Sequence, residues 1–129
     1  MAQKFNQLNI WSKGFDLLME VYNLTSGFPV EEKYALLSQL IRAANGIIAN
    51  IAEAHGRFYF ADKVRILYIA RGELEETQSH LQVAFARNYI SDKDFNHLNN
   101  EYEGLGIGIN KYINYLIKSK KSIRLTLLT

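Results

Sequence analysis

Three arrangements in this 129-residue sequence place side chains that could do chemistry at suggestive spacings. A carboxylate and an imidazole one helical turn apart can share a metal ion or relay a proton, and Glu76 with His80 and Asp94 with His97 have that spacing. Metal-binding helical bundles need Glu-x-x-His so that both ligands face inward, and that pattern does not occur. The first pair is four residues apart, the second sits near a helix start, and His55 continues an apolar series, as a hydrogen-bonded core histidine would. No metal and no cofactor is expected. Gly104, Gly106 and Gly108 look like a nucleotide loop, but a dinucleotide fingerprint follows a strand and has its third glycine three residues after its second. Here Ile109 occupies that place and the surroundings are helical. Three glycines within a helix cost about 1 kcal/mol each relative to alanine. Close helix or subunit packing would offset that cost, and a local kink is the alternative.

The absence of cysteine excludes disulfides, thiolate catalysis and Cys-ligated zinc, and no Ser, His and Asp grouping has a local signature. The expectation is a protein that is not an enzyme. The candidates left for catalysis are Arg42, Asn50, Glu53 and Arg71, taken as buried polar groups, and a structural network or a subunit contact is the simpler use for them. The net charge of +2 hides an uneven distribution. From Glu73 to Glu103 seven acids face Arg87 and Lys93, whereas Lys111, Lys118, Lys120, Lys121 and Arg124 follow with no acid among them. Such a basic end can complement a helix dipole or bind phosphates, and these five residues are the candidates for nucleic-acid binding.

The elements that must position these groups are four helices, at about 10–26, 30–56, 60–88 and 92–120, with a tail at 122–129. In the first, Trp11, Phe15, Leu18, Tyr22 and Thr25 form a stripe with Leu17, Val21 and Leu24 beside it. Gly27 and Pro29 end that helix and open the next, which should start near Val30 with Glu31 and Glu32 in its first turn. Tyr34, Leu37, Ile41, Ala44, Ile48, Ile51 and His55 then step by three and four, a seam implying ~40 Å of helix. Gln39, Arg42, Gly46, Asn50, Glu53 and Arg57 fall opposite as a polar stripe, with Glu53 and Arg57 at ion-pair spacing. Leu36, Leu40, Ala43, Ile47 and Ala54 fill the flank between, widening the apolar arc to about 160°, beyond the ~100° usual for a surface helix. The expectation is that the tail or another subunit covers this flank, with self-association favoured.

Phe58-Tyr59-Phe60 reads as a short aromatic link, and Asp62 lies in the first turn of the third helix. Val64, Leu67, Leu74 and Leu81 alternate there with the small residues Ala70, Thr77 and Ala84, a pattern for close packing. Ser91 is placed to cap the fourth helix, whose seam is Phe95, Leu98, Tyr102, Leu105, Ile109, Tyr112 and Leu116. One all-α domain, an up-down four-helix bundle, is the natural architecture. The N-terminus lacks the apolar run of a signal peptide and no stretch is long and apolar enough to span a membrane, so a cytoplasmic protein is expected.

Phe28-Pro29, Glu31-Glu32-Lys33-Tyr34, Leu36, Gln39, Arg42-Ala43-Ala44, Asn50-Ile51-Ala52-Glu53 and Gly56-Arg57, with Leu67, Ile69-Ala70-Arg71-Gly72 and Glu76, closely resemble the bacterial four-helix-bundle proteins known as 23S rRNA intervening-sequence proteins, some of which carry a ribosomal-protein label. The similarity runs from about Trp11 to Leu116. It implies a left-handed bundle assembling into a ring, a homopentamer, and kinship with the accessory variability determinants of diversity-generating retroelements, whose pentameric barrels engage nucleic acid and a reverse transcriptase. The family pattern usually has Gly where Ala54 stands and Ser where Glu73 stands, and often Ser at Gly46. Two functional expectations follow. The first is a homo-oligomeric module in which a ring multiplies Lys118, Lys120, Lys121 and Arg124 into about twenty charges that bind RNA or DNA. The second is a protein-interaction scaffold with no nucleic-acid role, its partner docking on Gln39, Arg42, Asn50, Glu53, Arg57 and Arg71 or on the ring's central surface.

Overall fold

In the computed structural model the backbone is described for residues 3–128 and the side chains through Lys120. Four helices follow one another: α1 (Asn9–Thr25), α2 (Leu36–Gly56), α3 (Phe60–Ala86) and α4 (Asp92–Leu128), with short 3-10 turns at Phe5–Gln7 and Val30–Glu32. No strand occurs among the described residues. Each helix packs antiparallel on the next, α4 closes against α1, and the diagonal pairs stay apart. Leu17, Val21, Leu40, Ile47, Ile51, Ile66, Leu67, Leu81, Tyr102, Leu105 and Ile109 fill the centre and are almost wholly withdrawn from solvent.

The expected seams of α3 and α4 supply that core: Leu67, Ala70, Leu74, Thr77, Leu81 and Ala84 face inward, as do Leu98, Tyr102, Leu105, Ile109 and Leu116. On α1 the expected stripe is displaced. Phe15 and Tyr22 are exposed, and the buried face is Gly14, Leu17, Leu18, Val21 and Thr25. Gly14 explains the shift, because it lets α1 approach Ile48 of α2 so closely that any β-carbon there would collide with it. The aromatics are left outside, where Trp11 stacks on Phe15 with centroids 5.2 Å apart and meets the edge of Phe5 at 5.1 Å.

The second helix starts later than its sequence suggests. After Pro29 the chain makes one 3-10 turn, Ala35 takes φ −121° and ψ −107°, and regular helix begins at Leu36. The 21 residues of α2 therefore span about 31 Å rather than ~40 Å. Tyr34 consequently falls outside the seam and is 86% exposed. The wide apolar arc also has another explanation. Leu40, Ala43, Ala44, Ile47, Ile48, Ile51 and Ala54 are all buried within one chain, because α2 is flanked by α1 on one side and α3 on the other. Covering that flank needs no second subunit.

Side chains complete the helix ends. Lys63 donates from its amine to the carbonyls of Ala54 and His55, at 3.3 and 2.8 Å, satisfying the last turn of α2 from the first turn of α3. At the other end of α3, Asn88 adopts φ 63°, Tyr89 N–H donates to Ala84 and Asn88 N–H to Phe85. This is the paired bonding of a Schellman ending, with asparagine in place of the commoner glycine. Ser91 caps α4 by accepting from the Asp94 N–H at 3.1 Å. The helix does not stop near residue 120: it runs to Leu128 through a stretch with neither glycine nor proline to break it. The separate tail expected at 122–129 is thus helix as far as Leu128, and the side chains of Lys121 and Arg124 lie outside the described residues.

Candidate functional site

The polar stripe of α2 does not act as one surface. Gln39 and Arg42 join residues of α3: the Arg42 guanidinium donates to Gln39 Oε1 through Nε and Nη2, both at 3.3 Å, and to Glu76 Oε1, and lies 3.7 Å from Glu73 Oε2. His80 Nε2 meets the same Glu76 oxygen at 3.4 Å. Farther along, Asn50 donates to its own helix at the Gly46 carbonyl, 2.7 Å away, while Glu53 and Arg57 pair with each other at 2.6 Å. Arg71 lies apart, near the α3–α4 groove, with its guanidinium over the Tyr68 ring. The reading of these groups as buried does not hold for Arg42, Glu53 and Arg71, which are all exposed. The side chains of Arg42 and Glu53 lie over the outside of the α2–α3 pair, that of Arg71 lies by the α3–α4 groove, and all keep their charged ends in water.

Electrostatics separates the two α3 carboxylates. Glu73 Oε2 is buried without a hydrogen-bond partner among the described residues. Burial, reinforced by the charge on Glu76, pushes the Glu73 carboxyl above its ordinary range against the pull of Arg42. Glu76 also suffers desolvation, but its hydrogen bond from His80 and the Arg42 charge hold it below the usual range. Glu73 can occupy this place because Gly46 lies beneath it. Two of the three positions at which the sequence departs from the resembled pattern are therefore packed on each other. The one guanidinium of the cluster is already committed to Gln39 and two carboxylates, and the arrangement ties α2 to α3.

The basic candidates also divide. Lys111 lines a groove between α1 and α4 beside Gln7, Ile10 and Tyr112. Lys118 is two turns farther along, within about 20° of the same helical face. Lys120 points elsewhere, into the groove between α3 and α4 lined by Phe60, Val64, Arg65, Tyr68, Leu116 and Ile117, a cavity of about 510 Å³. Beside that groove is the α2–α3 turn, where Lys120 also lines a shallow depression together with Phe58, Tyr59 and Asp62. Phe58 is 86% exposed and Tyr59 67% exposed.

This end of the molecule carries two features that the sequence reading did not use. Lys63 and Arg65 add cations to Arg57 and Lys120, and the turn displays aromatic rings in water. Three consecutive aromatics at a helix boundary, flanked by Arg57 on one side and Lys63 and Arg65 on the other, were the available signal. Among the described residues no helix is long and apolar enough to cross a membrane, and no group of three or more His, Asp or Glu is placed to hold a metal ion.

Comparison with known proteins gives a consistent picture. A family model described as 23S rRNA-intervening sequence protein matches residues 6–111. The fold is similar to the 1.70 Å crystal structure of a protein with unknown function from the S23 ribosomal protein family of Bacteroides thetaiotaomicron VPI-5482, with a TM-score of 0.73 and 25% identity over 81% of this chain and 97% of the other. No curated protein matches. Lys118, Lys120, Lys121 and Arg124 all follow the last residue of the family match.

Proposed function

The chain belongs to the 23S rRNA-intervening sequence protein family, and from that premise we propose that it is a cytoplasmic, non-enzymatic homo-oligomer whose basic end binds RNA or DNA. The observation that carries the proposal is the gathering of Arg57, Lys63, Arg65 and Lys120 around the α2–α3 turn and the adjoining groove, opposed there by Glu53 and Asp62. Phosphates would be taken up there by Arg65 and Lys120, and on another face of α4 by Lys118, none of which makes an ion pair among the described residues. Lys121 and Arg124, farther along the same helix, extend this basic run in the sequence.

The proposed assembly is a ring of left-handed bundles, a homopentamer, and kinship with the accessory determinants of diversity-generating retroelements belongs to the same proposal. Support for self-association comes from apolar side chains left in water on one chain, such as Ile69, Val83, Ile107 and Tyr115. A ring would present the basic end of each copy together, so that modest individual contacts act in concert.

Filter binding of labelled RNA at two salt concentrations tests the binding, and light scattering tests the assembly. Affinity is expected to fall steeply with salt and to drop when Lys118 and Lys120 are replaced by glutamine. Retention that ignores both changes would sink the reading. A scaffold without nucleic acid is the second reading, favoured by the apolar lining of the groove at Phe60, Val64, Leu116 and Ile117. Recovery of one protein partner after nuclease treatment, from a chain that retains no RNA, would decide for it.

A further inference from the structure

We propose that the α2–α3 turn is a stacking platform for unpaired bases, so that the nucleic acid taken by this chain is single-stranded; the inference rests on the nucleic-acid reading above and names its substrate class. The turn displays Phe58, 86% exposed, and Tyr59, 67% exposed, with ring centroids 5.1 Å apart and planes at 88°. With Val30 and Tyr34 they are the most exposed large apolar side chains among the described residues, and Phe58 and Tyr59 stand together.

The backbone holding them is fixed at both ends. Arg57 N–H closes α2 on the Ala54 carbonyl at 3.2 Å, Lys63 N–H opens α3 on Tyr59 at 3.0 Å, and the Lys63 amine bridges across to Ala54 and His55. These bonds set the backbone from which both exposed rings project.

The surroundings suit a chain that carries phosphates and planar faces together. Lys120 borders both the turn and the groove beside it, Arg65 lines that groove, and Tyr68 continues the aromatic series one helical stretch onward with Arg71 over its ring. Aromatic faces flanked by cations are how proteins hold single strands without reading their sequence: bases stack on the rings while Lys and Arg follow the backbone. A duplex offers the same phosphates but keeps its base faces stacked on one another, so Phe58 and Tyr59 would gain nothing from it. The basic rim argues against a second copy of this same turn as the occupant, since like charges would then meet.

Fluorescence anisotropy with a 5′-labelled oligo(U) single strand and a duplex of equal length, at low salt and with the full chain, tests the assignment. Tighter binding of the single strand is expected. Phe58→Ala with Tyr59→Ala should weaken single-strand binding at least about tenfold and leave duplex binding unchanged, with helicity by circular dichroism as the control for folding. Phe58→Trp should keep the affinity, and the fluorescence of the new indole should be quenched as the strand binds. Equal affinity for strand and duplex, both untouched by the alanine pair, would overturn the platform while leaving nucleic-acid binding intact. Failure to bind either probe would remove the underlying reading and the platform with it. An alanine pair that changes the mass in solution and not the binding would assign the turn to subunit contact and overturn the proposal.

Discussion

A β-carbon built on Gly46 would lie 3.0 Å from both Cδ and Oε2 of Glu73, so a glycine on α2 makes room for a carboxylate on α3. The two residues form a complementary pair, with the acid filling the notch that the glycine leaves. The placement withdraws one carboxylate oxygen from water without giving it a hydrogen bond.

This pairing predicts coupling. Gly46→Ala gains about 1 kcal/mol of helix propensity but must displace Glu73, so alone it should change stability little. In a Glu73→Ala background the same change should stabilise by about 1 kcal/mol. Urea denaturation of the four proteins checks this, and simple additivity of the two substitutions would contradict it.

The Glu73 carboxyl has its folded-state pKa raised, chiefly by burial and then by Glu76. The folded protein therefore binds more protons than the unfolded chain in the interval just above the ordinary carboxylate value. The resulting penalty is fully present above the folded pKa and is relieved as pH falls through that interval. Glu73→Gln should accordingly unfold at a higher temperature than the parent at pH 7, with the gain shrinking as pH is lowered. Glu76 acts oppositely: its depressed pKa contributes stability above the ordinary value that is lost on acidification. Thermal melts of both glutamine variants from pH 7 to pH 4 separate the two.

Tyr102 is wholly buried and its hydroxyl has no hydrogen-bond partner among the described residues. Burial, with a smaller effect from Glu20, pushes the phenol pKa up, so the group stays neutral and its orphaned polarity is the cost. Tyr102→Phe should be neutral or stabilising by up to about 1 kcal/mol, whereas Tyr102→Ala should cost about 3–5 kcal/mol. A phenylalanine variant markedly less stable than the parent in urea would show that a bound water satisfies the hydroxyl.

Gly14 differs from Gly46 in what lies over it. Its added β-carbon would come within 2.5 Å of Cγ2 of Ile48, a branched side chain locked in the core. Gly14→Ala should therefore destabilise by about 1–3 kcal/mol despite its better helix propensity. The loss should disappear when Ile48 is also alanine, as denaturation midpoints would reveal.

Much of the fold is legible in the sequence because α3 and α4 carry clean periods of large apolar residues, and Leu67, Leu74, Leu81, Leu98, Leu105 and Ile109 fall where that spacing puts them. Where the pattern is broader than the buried face, the reading loses its aim. On α1 the aromatics suggested one stripe, while the position of Gly14, which reports backbone distance and has no hydropathy to speak of, set another. On α2 the apolar arc was wide because two neighbours cover it within the chain. The three glycines of α4 show the same limit: Gly108 is packed 3.1 Å from Ile10 through its missing β-carbon, which spacing alone could not distinguish from a kink. The candidate site was less legible still. Which of the stripe residues meet depends on α3, and the display of Phe58 and Tyr59 depends on Lys63 fixing the turn, a contact between two helices that no local pattern announces.

The succession of helix contacts also bears on how the chain reaches this structure. Since α1 meets α2, α2 meets α3 and α3 meets α4, only the closure of α4 on α1 joins distant parts of the chain. A low contact order of this kind favours rapid folding. The α2–α3 hairpin, with its extensive interface and three-residue connection, has the smallest loop entropy to overcome and is the expected nucleus. The turn that displays two aromatics to solvent would then also be the point from which the rest of the protein condenses.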